Sequence, residues 1–217
     1  MIWMVYAPPI ALTDLIKSRG KCLFNVNVAG LWGVNIFATA QIYRFHSIAV
    51  HAGFDQIMDV PVDFQIRKAT AADKPAIKDI LLSTFTHTWK PQLNARGLAK
   101  AESFEQNVQD YLDQYCSDIF VATDQGKPLG MVHYFDDFVA ALHVAYEAQG
   151  CGVGGALLGH AERQIGQSHA QVRLETDTFN AQSRAFYRKH GFEEIEQYPD
   201  TEWDSDLTTI LLVKKLA

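Results

Sequence analysis

The segment Gln149-Gly-Cys-Gly-Val-Gly-Gly155 has the residue types and spacing to hold an anion. Its glycines let the backbone turn sharply and let a ligand approach the amides closely. Ala156–Gly166 follows with Leu157, Leu158, Ala161 and Ile165 on one helical side. The open N–H groups of a first helical turn, with the helix dipole, favour phosphate. The loop alone does not say which phosphate. Gly150, Gly152 and Gly155 also satisfy the Gly-x-Gly-x-x-Gly pattern of dinucleotide sites. Glu175 then stands about 20 residues on, where a ribose-binding acid would sit. An NAD-binding oxidoreductase is therefore one reading. Against it, the loop comes late, a hairpin leads into it, and too little chain follows for a doubly wound sheet.

The elements that must position this loop are regular from Asp63 onward. Phe64 and Ile66 alternate with Gln65 and Arg67 as in a strand. Thr70-Ala-Ala-Asp73 reads as a capping-box start with Asp in place of Glu, and Ile77, Ile80, Leu81 and Phe85 give a helical apolar face. Trp89-Lys90-Pro91 breaks that helix. Phe104, Val108, Tyr111, Leu112 and Tyr115 mark a second one, with Thr86–Ala101 as the loop between them. Asp118–Thr123 and Leu129–Phe135 flank a turn and predict a hairpin. Phe138–Val144 is an apolar, central strand. Val172–Thr176 is another, Asn180–His190 a helix stopped by Gly191, and Phe192–Tyr198 and Leu207–Lys214 are the last strands. This order predicts an α/β (α+β) fold, a mixed sheet with helices on both faces.

The chain of 217 residues suits one domain plus an appendage. The boundary falls at residues 62 and 63. Residues 1–57 carry only Asp14, Lys17, Arg19, Lys21, Arg44 and Asp55 as charged side chains, so either a loosely packed extension or a true start at Met58 fits. The apolar stretch Cys22–Tyr43 contains Asn25, Asn27, Asn35 and Gln41, which argue against a membrane span. A net charge of -6 offers no electrostatic case for nucleic acid. The three cysteines, Cys22, Cys116 and Cys151, match no metal or disulfide framework and fit a reducing, cytoplasmic compartment. No metal site is expected.

Four stretches together resemble one family. Leu142-His-Val-Ala-Tyr-Glu-Ala-Gln-Gly-Cys-Gly-Val-Gly-Gly-Ala-Leu-Leu158 is similar to the coenzyme-A motif of the GNAT superfamily of N-acetyltransferases, Gln/Arg-x-x-Gly-x-Gly/Ala, with Gln149, Gly152 and Gly154 at its defined positions. Leu174-Glu-Thr-Asp-Thr-Phe-Asn180 and Ala185-Phe-Tyr-Arg-Lys-His-Gly-Phe192 resemble its next motif, and Ile66-Arg-Lys-Ala-Thr-Ala-Ala-Asp73 a common first strand and helix. The resemblance covers about Asp63 to Lys215. One departure is Tyr146, where a proline often follows the central strand.

The resemblance implies a mainly antiparallel sheet and acetyl-CoA as cosubstrate. The strands bearing Leu142–Val144 and Val172–Thr176 would splay, and the pantetheine arm would pair with backbone groups around Leu142, His143 and Val144. Gln149, Gly150, Cys151, Gly152, Val153, Gly154 and Gly155 would hold the pyrophosphate, Asn180 would touch the coenzyme, and Tyr187 would be the general acid towards the thiolate. A phenol, with an ordinary pKa of about 10, is a plausible donor to a nascent thiolate. Asn180 also reads as a plain helix cap, and Tyr187 as a core aromatic beside Phe186. Glu175 is the candidate base, with pairing to Arg173 or Arg184 as the alternative; His143 is a second candidate whose side chain faces the other way on a strand. Cys151 reads as a loop residue and not a nucleophile. The acidic run Glu193, Glu194, Glu196, Asp200, Glu202, Asp204, Asp206 is either a solvated hairpin or a guide for a cationic acceptor. The acceptor is an amine of a small molecule or protein, and a homodimer is common in the family. A non-catalytic acyl-CoA-binding module would keep the loop without needing Tyr187.

Overall fold

The computed structural model describes residues 64–216; the extension 1–62, Met58 and Cys22–Tyr43 lie outside the described residues. Strand β1 (Gln65–Lys68) leads to helices α1 (Lys74–Thr88), α2 (Ala95–Lys100) and α3 (Phe104–Tyr115). Strands β2 (Phe120–Asp124), β3 (Lys127–Phe135) and β4 (Phe138–Val144) follow, then α4 (Val153–Ile165), β5 (Gln171–Asp177), α5 (Ala181–Lys189), β6 (Glu193–Pro199) and β7 (Thr208–Lys215). The strands form one seven-stranded sheet in the order β1-β2-β3-β4-β5-β7-β6, with β4 in the middle. Every pair is antiparallel except β4 with β5. A single parallel pair is not the sheet of a dinucleotide-binding fold.

Local chemistry explains the element boundaries. The Thr70 N–H and hydroxyl both donate to Asp73 Oδ2, and Arg67 grips the same carboxylate with two bonds of 2.8 and 2.9 Å. The predicted capping box is thus present, on a 3-10 turn (Ala71–Asp73) that runs into α1. Gln125 and Gly126 at φ 47° and 84° make the tight β2–β3 turn. The stretch expected as a loop, Thr86–Ala101, contains α2, whose start is capped by Asn94 Oδ1 accepting from the amides of Arg96 and Gly97.

Two apolar layers sandwich the sheet. On one face, Ile77, Leu81, Val108 and Leu112 of α1 and α3 pack on Val121, Met131 and Ala141. On the other, Leu157, Leu158 and Ala161 of α4 and Tyr187 of α5 pack on Leu142, Val144, Leu174 and Ile210. Strand alternation therefore sends Leu142 and Val144 towards α4 and α5, and Ala141 and His143 towards α1.

The parallel pair is short. β4 and β5 are in register only at Phe138↔Arg173 and Val139↔Leu174. Immediately afterwards β4 carries a bulge: Tyr134 faces Val139 and His133 faces Ala141, so Ala140 has no opposite residue. β5 meanwhile stays paired with β7 along its whole length, from Gln171 to Asp177. The two strands therefore fork. The closed end is clamped by Arg173, whose Nε and terminal nitrogen each reach the Asp137 carboxylate at 2.7 Å while its own N–H donates to the Asp137 carbonyl at 2.7 Å.

Those guanidinium hydrogen bonds hold the Asp137 carboxyl down at about 2. A depressed carboxyl stabilises the fold above its unfolded pKa and loses that effect as pH falls through the folded value. Arg173 is 42% exposed, so solvent screening limits the pair to about 1 kcal/mol. Urea melts should show Asp137→Asn weaker by about that amount at neutral pH, with the gap to wild type closing between pH ~4 and ~2; a gap constant across that window would reject the clamp's electrostatic role.

Candidate functional site

The glycine loop sits at the open end of the fork. Gly150 and Gly152 lie at φ 77° and 83°, which other residues adopt only with strain, and a Cβ on Gly152 would meet nothing within 4 Å. Among the described residues, the space on the Cβ side of Gly152 is thus open. Helix α4 begins at Val153, earlier than the Ala156 expected, so Gly154 and Gly155 belong to its first turn. The helix can start there because Val153 is buried as an anchor and Gly155 packs close to His190. Its first hydrogen bond runs from Ala156 N to Gly152 O at 3.0 Å, which leaves the preceding amides without a helical partner. Gln149 is buried beneath the loop and donates from Nε2 to the Val144 carbonyl at 3.3 Å. This bond ties the loop to the end of β4. At Tyr146, where the family often has a proline, the chain turns through a 3-10 turn (Tyr146–Ala148).

One wall of the fork is formed with α4 and α5. Tyr187 is 1% exposed and meets Phe186 and Phe192 edge to face at 5.0 and 5.7 Å. Thr176 donates its hydroxyl to Ser183 at 3.0 Å, fixing α5 to β5. Asn180 caps α5: its Oδ1 accepts from Ser183 N at 3.1 Å, worth about 1 kcal/mol. Its Nδ2 is buried and has no hydrogen-bond partner among the described residues.

The opposite wall faces α1. His143 Nδ1 lies 2.9 Å from the Thr84 hydroxyl. Glu175 projects to this side and accepts a hydrogen bond from the Tyr198 hydroxyl. Burial, then that bond, pushes the Tyr198 phenol well above its ordinary value, so it remains a donor. The alternative pairings for Glu175 are not formed: Arg173 holds Asp137, and Arg184 holds Glu194 at 2.8 and 3.0 Å. Tyr187 and Glu175 thus belong to opposite walls.

Sequence reasoning passed over Asp177. It ends β5, is 3% exposed, and accepts a 2.9 Å hydrogen bond from Trp89 Nε1. Burial raises its carboxyl to about 7; the Trp89 bond opposes the rise, and the nearby Asp200 and Glu175 carboxylates add to it. The alternation Arg173, Glu175, Asp177 was the available signal, since it places all three on one side of a strand.

The acidic run is neither uniformly solvated nor uniformly at the mouth. Glu194 is paired with Arg184, and Asp204 and Asp206 approach Arg96 at 3.7 and 3.4 Å. Asp200 accepts from the amides of Glu202 and Trp203 at 3.1 and 2.8 Å. That turn sends Glu202 inward, where burial raises its carboxyl to about 8. Glu202 borders a cavity of about 10 Å³ among Phe85, Trp89, Phe104, His143 and Trp203, room for roughly one water. Gly97 of α2 lies so close to Ser205 that a Cβ would fall 1.9 Å from its hydroxyl oxygen. The segment after α1 and the β6–β7 connection, both expected to shape the acceptor side, therefore pack on each other.

Among the described residues no helix is long and apolar enough to cross a membrane. No group of three or more His, Cys, Asp or Glu side chains among them is placed to hold a metal ion.

Residues 116–194 match the family model described as an acetyltransferase (GNAT) domain. No curated protein sequence matches the chain. Among solved structures, the fold is similar to apo YjaB from Escherichia coli, with TM-score 0.60 and 20% identity over 71% of this chain and 99% of that one. It is similar also to the ribosomal-protein-alanine N-acetyltransferase from Brucella melitensis, with TM-score 0.55 and 22% identity over 70% and 99%. A third is the PaiA N-acetyltransferase from Thermoplasma acidophilum in complex with coenzyme A, with TM-score 0.56 and 17% identity over 71% and 99%. The mixed, mostly antiparallel sheet and the match of residues 116–194 to the GNAT acetyltransferase family model bear out the resemblance read from the three motifs.

Proposed function

We propose that the protein is an acetyl-CoA-dependent N-acetyltransferase that passes an acetyl group directly to a primary amine of a small molecule or protein. The observation that carries this reading is the fork between β4 and β5 with a glycine loop and helix N-terminus at its open end. The residues fit the cosubstrate. The amides of Gly150–Gly155 suit a pyrophosphate, and the surface at Gly152 is open to it. The buried Asn180 Nδ2 supplies a donor that the protein itself leaves unused among the described residues. Backbone groups of Leu142, His143 and Val144 lie beyond the β5 pairing and suit a pantetheine arm and a polarised thioester carbonyl. Bound at such a site, acetyl-CoA supplies the acyl group as an activated thioester.

The two walls suit two proton roles. Tyr187, on the α5 side, gives its hydroxyl proton to the departing sulfur. The carboxylates of β5 face the α1 side, where the amine enters and sheds its proton; Glu175 is the one the sequence points to. The presence of coenzyme A in the Thermoplasma structure supports the donor. The Brucella enzyme, a ribosomal-protein-alanine N-acetyltransferase, supports a protein amine as one acceptor class.

Thermal melts should rise with acetyl-CoA and with CoA and stay unchanged with NAD; stabilisation by NAD alone would overturn the assignment. Gly152→Ala should lose most of the CoA-induced rise, because the new residue strains the loop by about 1–2 kcal/mol. A thiol-release assay with an amine library should then detect turnover. Tyr187→Phe should lower kcat about 10²-fold with little change in KM for acetyl-CoA, the usual scale for a general acid. Undiminished turnover would remove Tyr187 from the mechanism and favour a role for it in packing.

A further inference from the structure

Glu175 is engaged by Tyr198, whereas the neighbouring Asp177 ends β5 at the mouth of the fork. Asp177 lies three positions beyond Leu174, the last residue of β5 in register with β4. Trp89 bridges it to the other strand: the indole N–H holds Asp177 Oδ2 at 2.9 Å, while its ring stands 6.5 Å from that of His143 on β4. The carboxylate is therefore fixed on the amine side of the gap, with Oδ1 accepting no hydrogen bond among the described residues. The groups bearing on it electrostatically are acids, Glu175 on its own strand and Asp200 on the connection after β6; Glu202 feels Asp177 in turn. From the packed elements, Trp89, Tyr198, His143 and Thr84 face this region; Arg173 bears on Glu175 and Lys100 on Glu202, but among the described residues no Lys or Arg is hydrogen-bonded to Asp177.

We propose that Asp177 is the catalytic base that takes the proton from the acceptor ammonium, and that Glu175, steadied by Tyr198, positions the acceptor's cation. This inference rests on the acyl-transfer reading above. The ammonium gives one proton to the Asp177 carboxylate and becomes a neutral amine. Its nitrogen lone pair forms the C–N bond to the thioester carbonyl carbon as the C–S bond breaks. Tyr187 protonates the sulfur, and the second N–H proton shed on amide formation replaces the one Tyr187 gave. Asp177 then releases its proton to solvent, so the reaction liberates one proton overall.

A base whose carboxyl titrates at about 7 is ready near neutral pH, so kcat/KM should climb with pH through that value and then level. The test uses the full-length protein and an amine found in the thiol-release screen. Asp177→Asn should lower kcat/KM about 10²–10³-fold at pH 7, and its residual rate should follow the free-amine fraction upward. Its CoA-induced thermal shift should match wild type. Trp89→Phe keeps both carboxylates but removes the hydrogen bond that opposes the raised pKa, so the limb should move to higher pH. If Asp177→Asn keeps the limb, or if only Glu175→Gln abolishes it, Asp177 is not the base. If wild type shows neither a CoA shift nor thiol release, the acyl-transfer reading itself falls, a distinct outcome.

Discussion

The site depends on a parallel strand pair that is held at one end and open at the other. Two register positions, Phe138↔Arg173 and Val139↔Leu174, join β4 to β5, and the Arg173–Asp137 clamp closes that end. The bulge at Ala140 interrupts β4 just beyond the joined segment, while β5 stays paired with β7 along its length. A sheet ordinarily satisfies its backbone groups by pairing. Among the described residues, β4 and β5 part in the middle of the sheet beyond Val139 and Leu174, where both faces are covered by packed helices. A small ligand with amide groups in an extended arm is the natural complement to such a gap.

Strand parity gives the gap two chemically different walls. Residues 142, 144, 174 and 176 face α4 and α5, and Tyr187 arrives there inside an apolar layer. Residues 143, 175 and 177 face α1, where Thr84, Trp89 and Tyr198 supply polar partners. A phenol on one side and carboxylates on the other are separated by one strand thickness. On the proposed reading, acid and base would act on opposite sides of a thioester without neutralising each other. Burial raises the Asp177 carboxyl against the opposing Trp89 hydrogen bond, whereas an exposed aspartate is ionised far below neutral pH.

Much of this was legible from local pattern. The glycine loop, the Thr70–Asp73 box, the Asn180 cap and the central place of Phe138–Val144 follow from turn chemistry and periodicity over a few residues. The start of α4 was misplaced because Gly154 and Gly155 have poor helix propensity, which tertiary packing at Val153 and His190 overrides. Helix α2 was hidden by Pro91 and Gly97, although Asn94 was a readable cap; Gly97 is there for its close approach to Ser205. The inward-facing carboxyls of Asp177 and Glu202 were not legible. Their burial depends on Trp89 and Trp203, which come together only through the fold; Trp89 and Asp177 are 88 positions apart. The acidic run looked uniform in sequence because charge type says nothing about which carboxylate a turn such as that at Asp200 will bury.

Hydrogen exchange read by mass spectrometry, with and without coenzyme A, tests the fork most directly. The account predicts slowed exchange in peptides covering 140–144 and 150–155, with peptides covering β2 unchanged. Coenzyme A that binds, as judged by the intact complex, yet protects neither segment would contradict it.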